Sequence, residues 1–109
     1  MAETIKVLGQ SAPSATTETD VYTVPAATSA VVSSIIIANR DATSATYRIA
    51  VRPAGATLAN EHYAAYDITV GASDSTILTI GMTLAATDVI TVYASSANLS
   101  FSVFGTEIS

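Results

Sequence analysis

The chain has 109 residues and a mass of 11.1 kDa, room for one domain and too little for two. Half of it is hydrophobic and only 12% is charged, which excludes a disordered tail. Nine acidic residues against four basic ones give a net charge of −5 and leave no cationic cluster for nucleic acid or an anionic membrane surface. There is no cysteine, hence no disulfide framework, thiol nucleophile or thiolate metal site.

Area scaling gives roughly 5,700 Å² exposed when folded against about 16,000 Å² unfolded, enough for one modest core. No apolar run reaches the roughly 20 residues that span a bilayer. Residues 1–6 show neither a basic n-region nor an apolar h-region, so no signal peptide is expected. The expected organisation is a single domain over 1–109 with an extended N-terminal segment over about 1–18.

Short β-rich runs alternate with turn residues along the whole chain. The first predicted strand is 4–8; residues 10–18, rich in Ser, Ala and Thr, follow as an arm or long loop. A strand over 20–24 is closed by Pro25. The next, 30–38, contains Val31-Val32-Ser33-Ser34-Ile35-Ile36-Ile37, which is apolar on both faces and predicts a central strand covered on both sides, the second cover being another subunit. Asn39-Arg40-Asp41 turns the chain, since short polar side chains bond the local backbone. In the strand 45–52, Tyr47, Ile49 and Val51 share one face, Arg48 and Arg52 the other. Pro53-Ala54-Gly55 ends it, and 56–65 reads as a loop with at most one helical turn. Strands follow over 66–70 and 75–80, joined by Gly71-Ala72-Ser73-Asp74 as a tight hairpin, with Gly81 ending the second of them. The last two strands are 88–94 and 98–104. The pattern predicts an all-β fold, a single antiparallel β-sandwich, jelly-roll-like, of about eight strands. Its core is expected at Ile35, Ile37, Ile49, Val51, Leu78, Ile80, Ile90, Val92, Phe101 and Val103.

The search for chemistry finds no constellation. His62 is the only histidine; beside Glu61 it lacks any nucleophile at readable spacing, and the simpler reading is a loop histidine stacked on Tyr63 or Tyr66. Zinc needs three or four N/S ligands. Asp67, Asp74 and Asp88 form no spaced calcium loop. Gly9, Gly55, Gly71, Gly81 and Gly105 are too scattered to cradle phosphate. No catalytic, cofactor-binding or metal residues are therefore assigned, and no enzyme is expected. Tyr22, Tyr47 and Tyr93 belong to strands as core or half-buried residues, whereas Tyr63 and Tyr66 lie near a loop, where interfaces favour amphipathic rings. Arg48 and Arg52 read either as a solvated face paired with Asp and Glu or as an ion-pair strip between subunits. Arg48, Arg52, Tyr63 and Tyr66 are the expected interface residues, with the segment 2–14 and the loop 53–66 as further points of contact.

A resemblance adds a setting. Residues 21–40, Val21-Tyr22-Thr23-Val24-Pro25-Ala26 followed by a short turn, Ala30-Val31-Val32, a β-branched run and Asn39, resemble a pattern common in small structural proteins of tailed bacteriophages. Gly81-Met82-Thr83-Leu84, a short turn, then Asp88 and an apolar strand are similar to the matching end of that module, as is Phe101–Glu107. The turn Ala27-Thr28 departs from the glycine turn usual there. The resemblance implies a non-enzymatic virion protein, made in the bacterial host cytoplasm. It would decorate or stabilise the capsid, or an attached neck or tail structure. The partners implied are copies of the chain, with a trimer expected, and other virion proteins such as the major capsid or neck/tail protein. The other reading is a receptor- or glycan-binding module with a host surface glycan as partner. Neither reading calls for a cofactor.

Overall fold

The computed structural model describes residues 2–109. Eight strands form: β1 (Glu3–Ser11), β2 (Thr19–Thr23), β3 (Ser29–Asn39), β4 (Ala45–Arg52), β5 (Tyr63–Val70), β6 (Ser75–Leu84), β7 (Val89–Ala94) and β8 (Leu99–Ile108). Sheet I has the order β1-β8-β3-β6 and sheet II the order β2-β7-β4-β5, every pair antiparallel. The pairs β1·β8, β2·β7, β3·β6 and β4·β5 are those of one long antiparallel ribbon folded over on itself. The bonds β3·β8 and β4·β7 close it into two layers. This is a jelly-roll sandwich. Its surface, 5427 Å², lies close to that expected of a folded chain of this mass.

Several strands run past their expected ends. The arm continues as strand through Ser11 because β1 pairs with β8 along its whole length. Gly81 does not end β6: Ile80 and Gly81 together stand opposite Ser33, a bulge that lets the strand bend and continue to Leu84. Strand β5 begins at Tyr63, so Tyr63 and Tyr66 are strand residues. Two 3-10 turns, Pro53–Gly55 and Asn60–His62, occupy the loop before it. The turn after Val70 is tight, with the Asp74 amide donating to the Gly71 carbonyl at 3.2 Å. It is no hairpin, however, since β5 belongs to sheet II and β6 to sheet I; the chain crosses between layers there. At the departing turn, Ala27 itself takes the left-handed conformation (φ 57) that glycine would adopt without penalty.

The core fills the space between the sheets. Ile35, Ile37, Phe101 and Val103 from sheet I meet Ile49, Ile90 and Val92 from sheet II, all buried, and Tyr47 sets its ring edge-on to Phe101 at 6.3 Å. Val51, Leu78 and Ile80, also expected in the core, are half-buried at its margin. Asn39 is buried at the end of β3 and pins two turns, 40–44 and 70–74. Its Nδ2 donates to the carbonyls of Thr43 (2.9 Å), Val70 (3.3 Å) and Gly71 (3.2 Å), and its Oδ1 accepts from the Asp41 amide. The two stretches that carry the resemblance also meet: the Val24 amide donates to the Asp88 carbonyl at 2.9 Å, and the Thr87 amide to the Val24 carbonyl at 3.0 Å.

The long sides of the sandwich differ. On one side β1 lies against β2. Gly9 permits this, since a Cβ there would run into the Val21 carbonyl oxygen. The same side is clasped by side chains from three strands: the Tyr22 hydroxyl donates to Glu107 Oε2 at 2.6 Å, and Lys6 Nζ lies 2.9 Å from Glu107 Oε1. On the other side, between β5 and β6, the layers stay apart.

Candidate functional site

Three surfaces stand out, and the expected residues gather on the first, the outer face of sheet II. Strand alternation turns Arg48 outward from β4, and its register places it beside Tyr93 of β7. A bulge in β5, with Asp67 in the left-handed region (φ 51), brings both Tyr66 and Asp67 opposite Arg48. The guanidinium carbon sits 4.1 Å from the Tyr66 ring centre and 4.3 Å from that of Tyr93. Its Nε donates to Asp67 Oδ1 at 2.7 Å. The Asp67 bond raises the Arg48 pKa still further above its already high ordinary value, so the charge is permanent. Tyr63 stands edge-on to Tyr66 at 4.9 Å. Three of the four expected residues, Arg48, Tyr63 and Tyr66, thus form one cluster, which Tyr93 and Asp67 complete.

Arg52 lies further along β4 and serves a separate network. It donates to Thr91 Oγ1 (3.0 Å), to Asp20 Oδ1 (2.9 Å) and to the carbonyls of Gly55 and Ala56. Both arginines make an ion pair within the chain, Arg48 with Asp67 and Arg52 with Asp20. Tyr66 is the most open member of the cluster, with 53% of its surface exposed.

The second surface is the outer face of sheet I, which none of Arg48, Arg52, Tyr63 and Tyr66 reaches but to which the segment 2–14 contributes through β1. Register lines up Ile5, Thr106, Val31 and Thr83 in one row across the sheet, then Val7, Phe104, Ser34 and Thr79, then Gln10, Ser102, Ile36 and Ile77. Ile5 is 86% exposed and Ile77 63%; Val7 and Val31 are also exposed, and Ile36 and Phe104 half-buried. The charges of this face among the described residues lie at opposite ends: Glu3 in the row of Ser29 and Ile108, and Arg40, whose Nε donates to the outward-facing Ser100 Oγ at 2.8 Å. The two-faced run of β3 was the available signal. Its strand is central, and its second face is left uncovered by the chain itself.

The third is the cleft of about 460 Å³ on the open side, lined by Tyr47, Ile49, Ala64, Ala65, Ile68, Leu78, Ile80 and Met82. Burial pushes the Tyr47 phenol pKa up, as an apolar wall must.

The remaining candidates hold local structure. His62 Nδ1 accepts from the Ala59 amide at 3.0 Å and so closes its own 3-10 turn. Asp88 accepts from the amides of Ala54 (2.9 Å) and Ala85 (2.8 Å), joining two turns. Asp74 accepts from the Ser75 amide. Asp41, held below the usual carboxylate range chiefly by the Asn98 side-chain bond and then by the Ala42 amide, ties the 39–44 turn to the 95–98 turn. Among the described residues no three of His, Cys, Asp and Glu come together to hold a metal ion, and no helix is long and apolar enough to cross a membrane. No family model, no curated protein and no solved structure matches the chain.

Proposed function

We propose that this chain is a non-enzymatic structural protein of a bacteriophage particle. It decorates or stabilises the capsid, or an attached neck or tail structure, through contacts with its own copies and with other virion proteins. The observation that carries the reading is the outer face of sheet I: exposed Ile5, Val7, Val31 and Ile77 on one surface whose charges, Glu3 and Arg40, stand at its two ends. Large side chains of this kind, gathered exposed on one face, mark interaction sites. The resemblance in residues 21–40, 81–92 and 101–107 supplies the setting. The fold alone does not decide, because jelly rolls serve viral capsids and lectins alike.

The test is a phage that lacks this gene. The expected result is particles of altered composition or of lower resistance to heat and salt, rescued by the wild-type chain and not by Val31→Asp. Particles unchanged in composition, resistance and infection would sink the proposal. A second reading, a glycan-binding module, is favoured by one observation, the exposed Tyr66 ring beside Tyr63 and Tyr93. It requires intact particles whose adsorption collapses with Tyr66→Ala, and binding of the purified chain on a glycan array.

A further inference from the structure

The open side of the sandwich carries three unmet demands along its length. Strand β6 is the edge of sheet I and β5 the edge of sheet II, so each presents a row of backbone N–H and C=O groups to no neighbour. The apolar cleft lies between them, with Ile68 44% exposed at its rim and Leu78, Ile80 and Met82 half-buried. Finally, β6 carries neither a charge nor a proline to guard its edge, and its bulge at Ile80–Gly81 leaves 75–79 in regular pairing with β3. Edge strands of natural single-copy domains commonly carry such guards.

We propose that this side is the interface with a second copy of the chain, joined about a two-fold axis perpendicular to the sheets. One such operation lays β6 antiparallel on β6 of the copy and β5 on its β5. Both sheets then continue from four strands to eight, and the two clefts merge into one shared apolar interior. An acyl chain in the cleft would leave both edges unpaired, and a single added peptide strand would pair only one.

Charge points to the same occupant. A chain of net charge −5 repels its copy wherever acidic residues face each other. Here β6 brings none, and Asp67, the one acidic residue of β5, is held by Arg48. The area suffices as well. A wall as long as β6, about 34 Å, and as deep as the molecule's shortest dimension, 19 Å, gives about 1,200–1,300 Å² over two copies, within the range of specific interfaces. Three copies, the number expected from the sequence, would need a head-to-tail contact of unlike edges, and β1, the other edge of sheet I, carries Glu3 and Lys6. The inference rests on the self-assembly half of the proposed function and not on the particle.

The test is sedimentation equilibrium of the full chain from micromolar to millimolar concentration, together with amide hydrogen exchange. The expected result is a two-copy mass at the upper end, with exchange at β5 and β6 slowing as concentration rises. Thr79 is exposed at the middle of β6, where the axis would bring two copies of it together. Thr79→Lys should therefore abolish the two-copy mass while the β3 amides stay protected. Should that variant not fold, Ile68→Lys on the rim makes the same test. Val31→Lys, on the outer face of sheet I and on β3 rather than the edge strand β6, should leave the pair intact. A single-copy mass at millimolar concentration, a three-copy mass, or dissociation by Val31→Lys but not by Thr79→Lys would each overturn the inference. None of these readings involves the phage particle, so this inference and the proposed function can fail separately.

Discussion

Removing the Tyr22 hydroxyl, as in Tyr22→Phe, isolates the clasp on the closed side of the sandwich. The bond to Glu107 is short, 2.6 Å, and joins β2 of one sheet to β8 of the other. Tyr22 is buried and the Glu107 side chain only 14% exposed. A hydrogen bond to a charged group in such a place is worth about 1.5–3 kcal/mol. Lys6 stays 44% exposed and still holds the carboxylate after the change, so the lower end applies: about 1.5–2 kcal/mol. For a domain of this size that is a fall of about 6–12 °C in Tm. The pH dependence sharpens the test. The Tyr22 bond, then Lys6, holds the Glu107 carboxyl below its usual range, so its stabilisation is present above the ordinary carboxylate value and is lost as pH falls through the lower folded value. Burial, then Glu107, raises the Tyr22 phenol pKa, so that stabilisation is present below the ordinary tyrosine value of about 10 and is lost as pH rises beyond it. Urea unfolding of both proteins, followed by circular dichroism across pH, should give a difference that is flat between roughly pH 5 and 10 and shrinks on either side. A difference under about 0.5 kcal/mol at neutral pH, or one unchanged at pH 3, would refute the clasp.

Three further changes test the fold. Ala27→Gly should stabilise the chain by up to about 1 kcal/mol in urea unfolding, because φ is 57 there and glycine adopts that conformation without strain; a loss of stability would mean that the turn is built otherwise. Asn39→Ala leaves the loop carbonyls of Thr43, Val70 and Gly71 without their shared donor and should cost about 1–3 kcal/mol, read as a lower urea midpoint. Phe101→Ala, at a wholly buried ring packed on Tyr47, should cost about 3–5 kcal/mol; an unchanged melting temperature would show the strand faces to be wrongly assigned.

Alternation made the strands legible, because a period of two decides which face is buried. Tyr47, Ile49 and the Leu99-Phe101-Val103 series fall inward as that rule requires. The boundaries that failed did so for reasons beyond the local pattern. Gly81 looks like a stop, yet pairing with β3 carries β6 past it through a bulge whose other half, Ser33, lies 48 positions away. The turn at Gly71–Asp74 has hairpin composition, but composition cannot say whether the next strand returns to the same sheet. The Arg48 cluster was half legible: Arg48, Tyr63 and Tyr66 could be named, while Tyr93 and Asp67 join them only through cross-strand register and a left-handed residue. The outer face of sheet I was least legible as a surface, since Ile5, Val31 and Ile77 come from three strands far apart in the chain.

That distribution bears on which surface a partner would take. Sheet II meets its own needs: Arg48 is sandwiched by two rings and bonded to Asp67, and Arg52 reaches Asp20, Thr91 and two carbonyls. Covering these groups would strip water from ion pairs that already have their partners, which costs free energy and forms no new bond. Sheet I and the open side are in the opposite condition. Covering Ile5, Val31, Ile77 or Ile68 returns about 25 cal/mol for each Å² removed from water, and pairing β6 satisfies backbone groups that otherwise rely on solvent. A macromolecular partner therefore gains most on sheet I and at the β5–β6 side. The Tyr66 face is left to small polar ligands that can lie on a ring without displacing the charges beneath it.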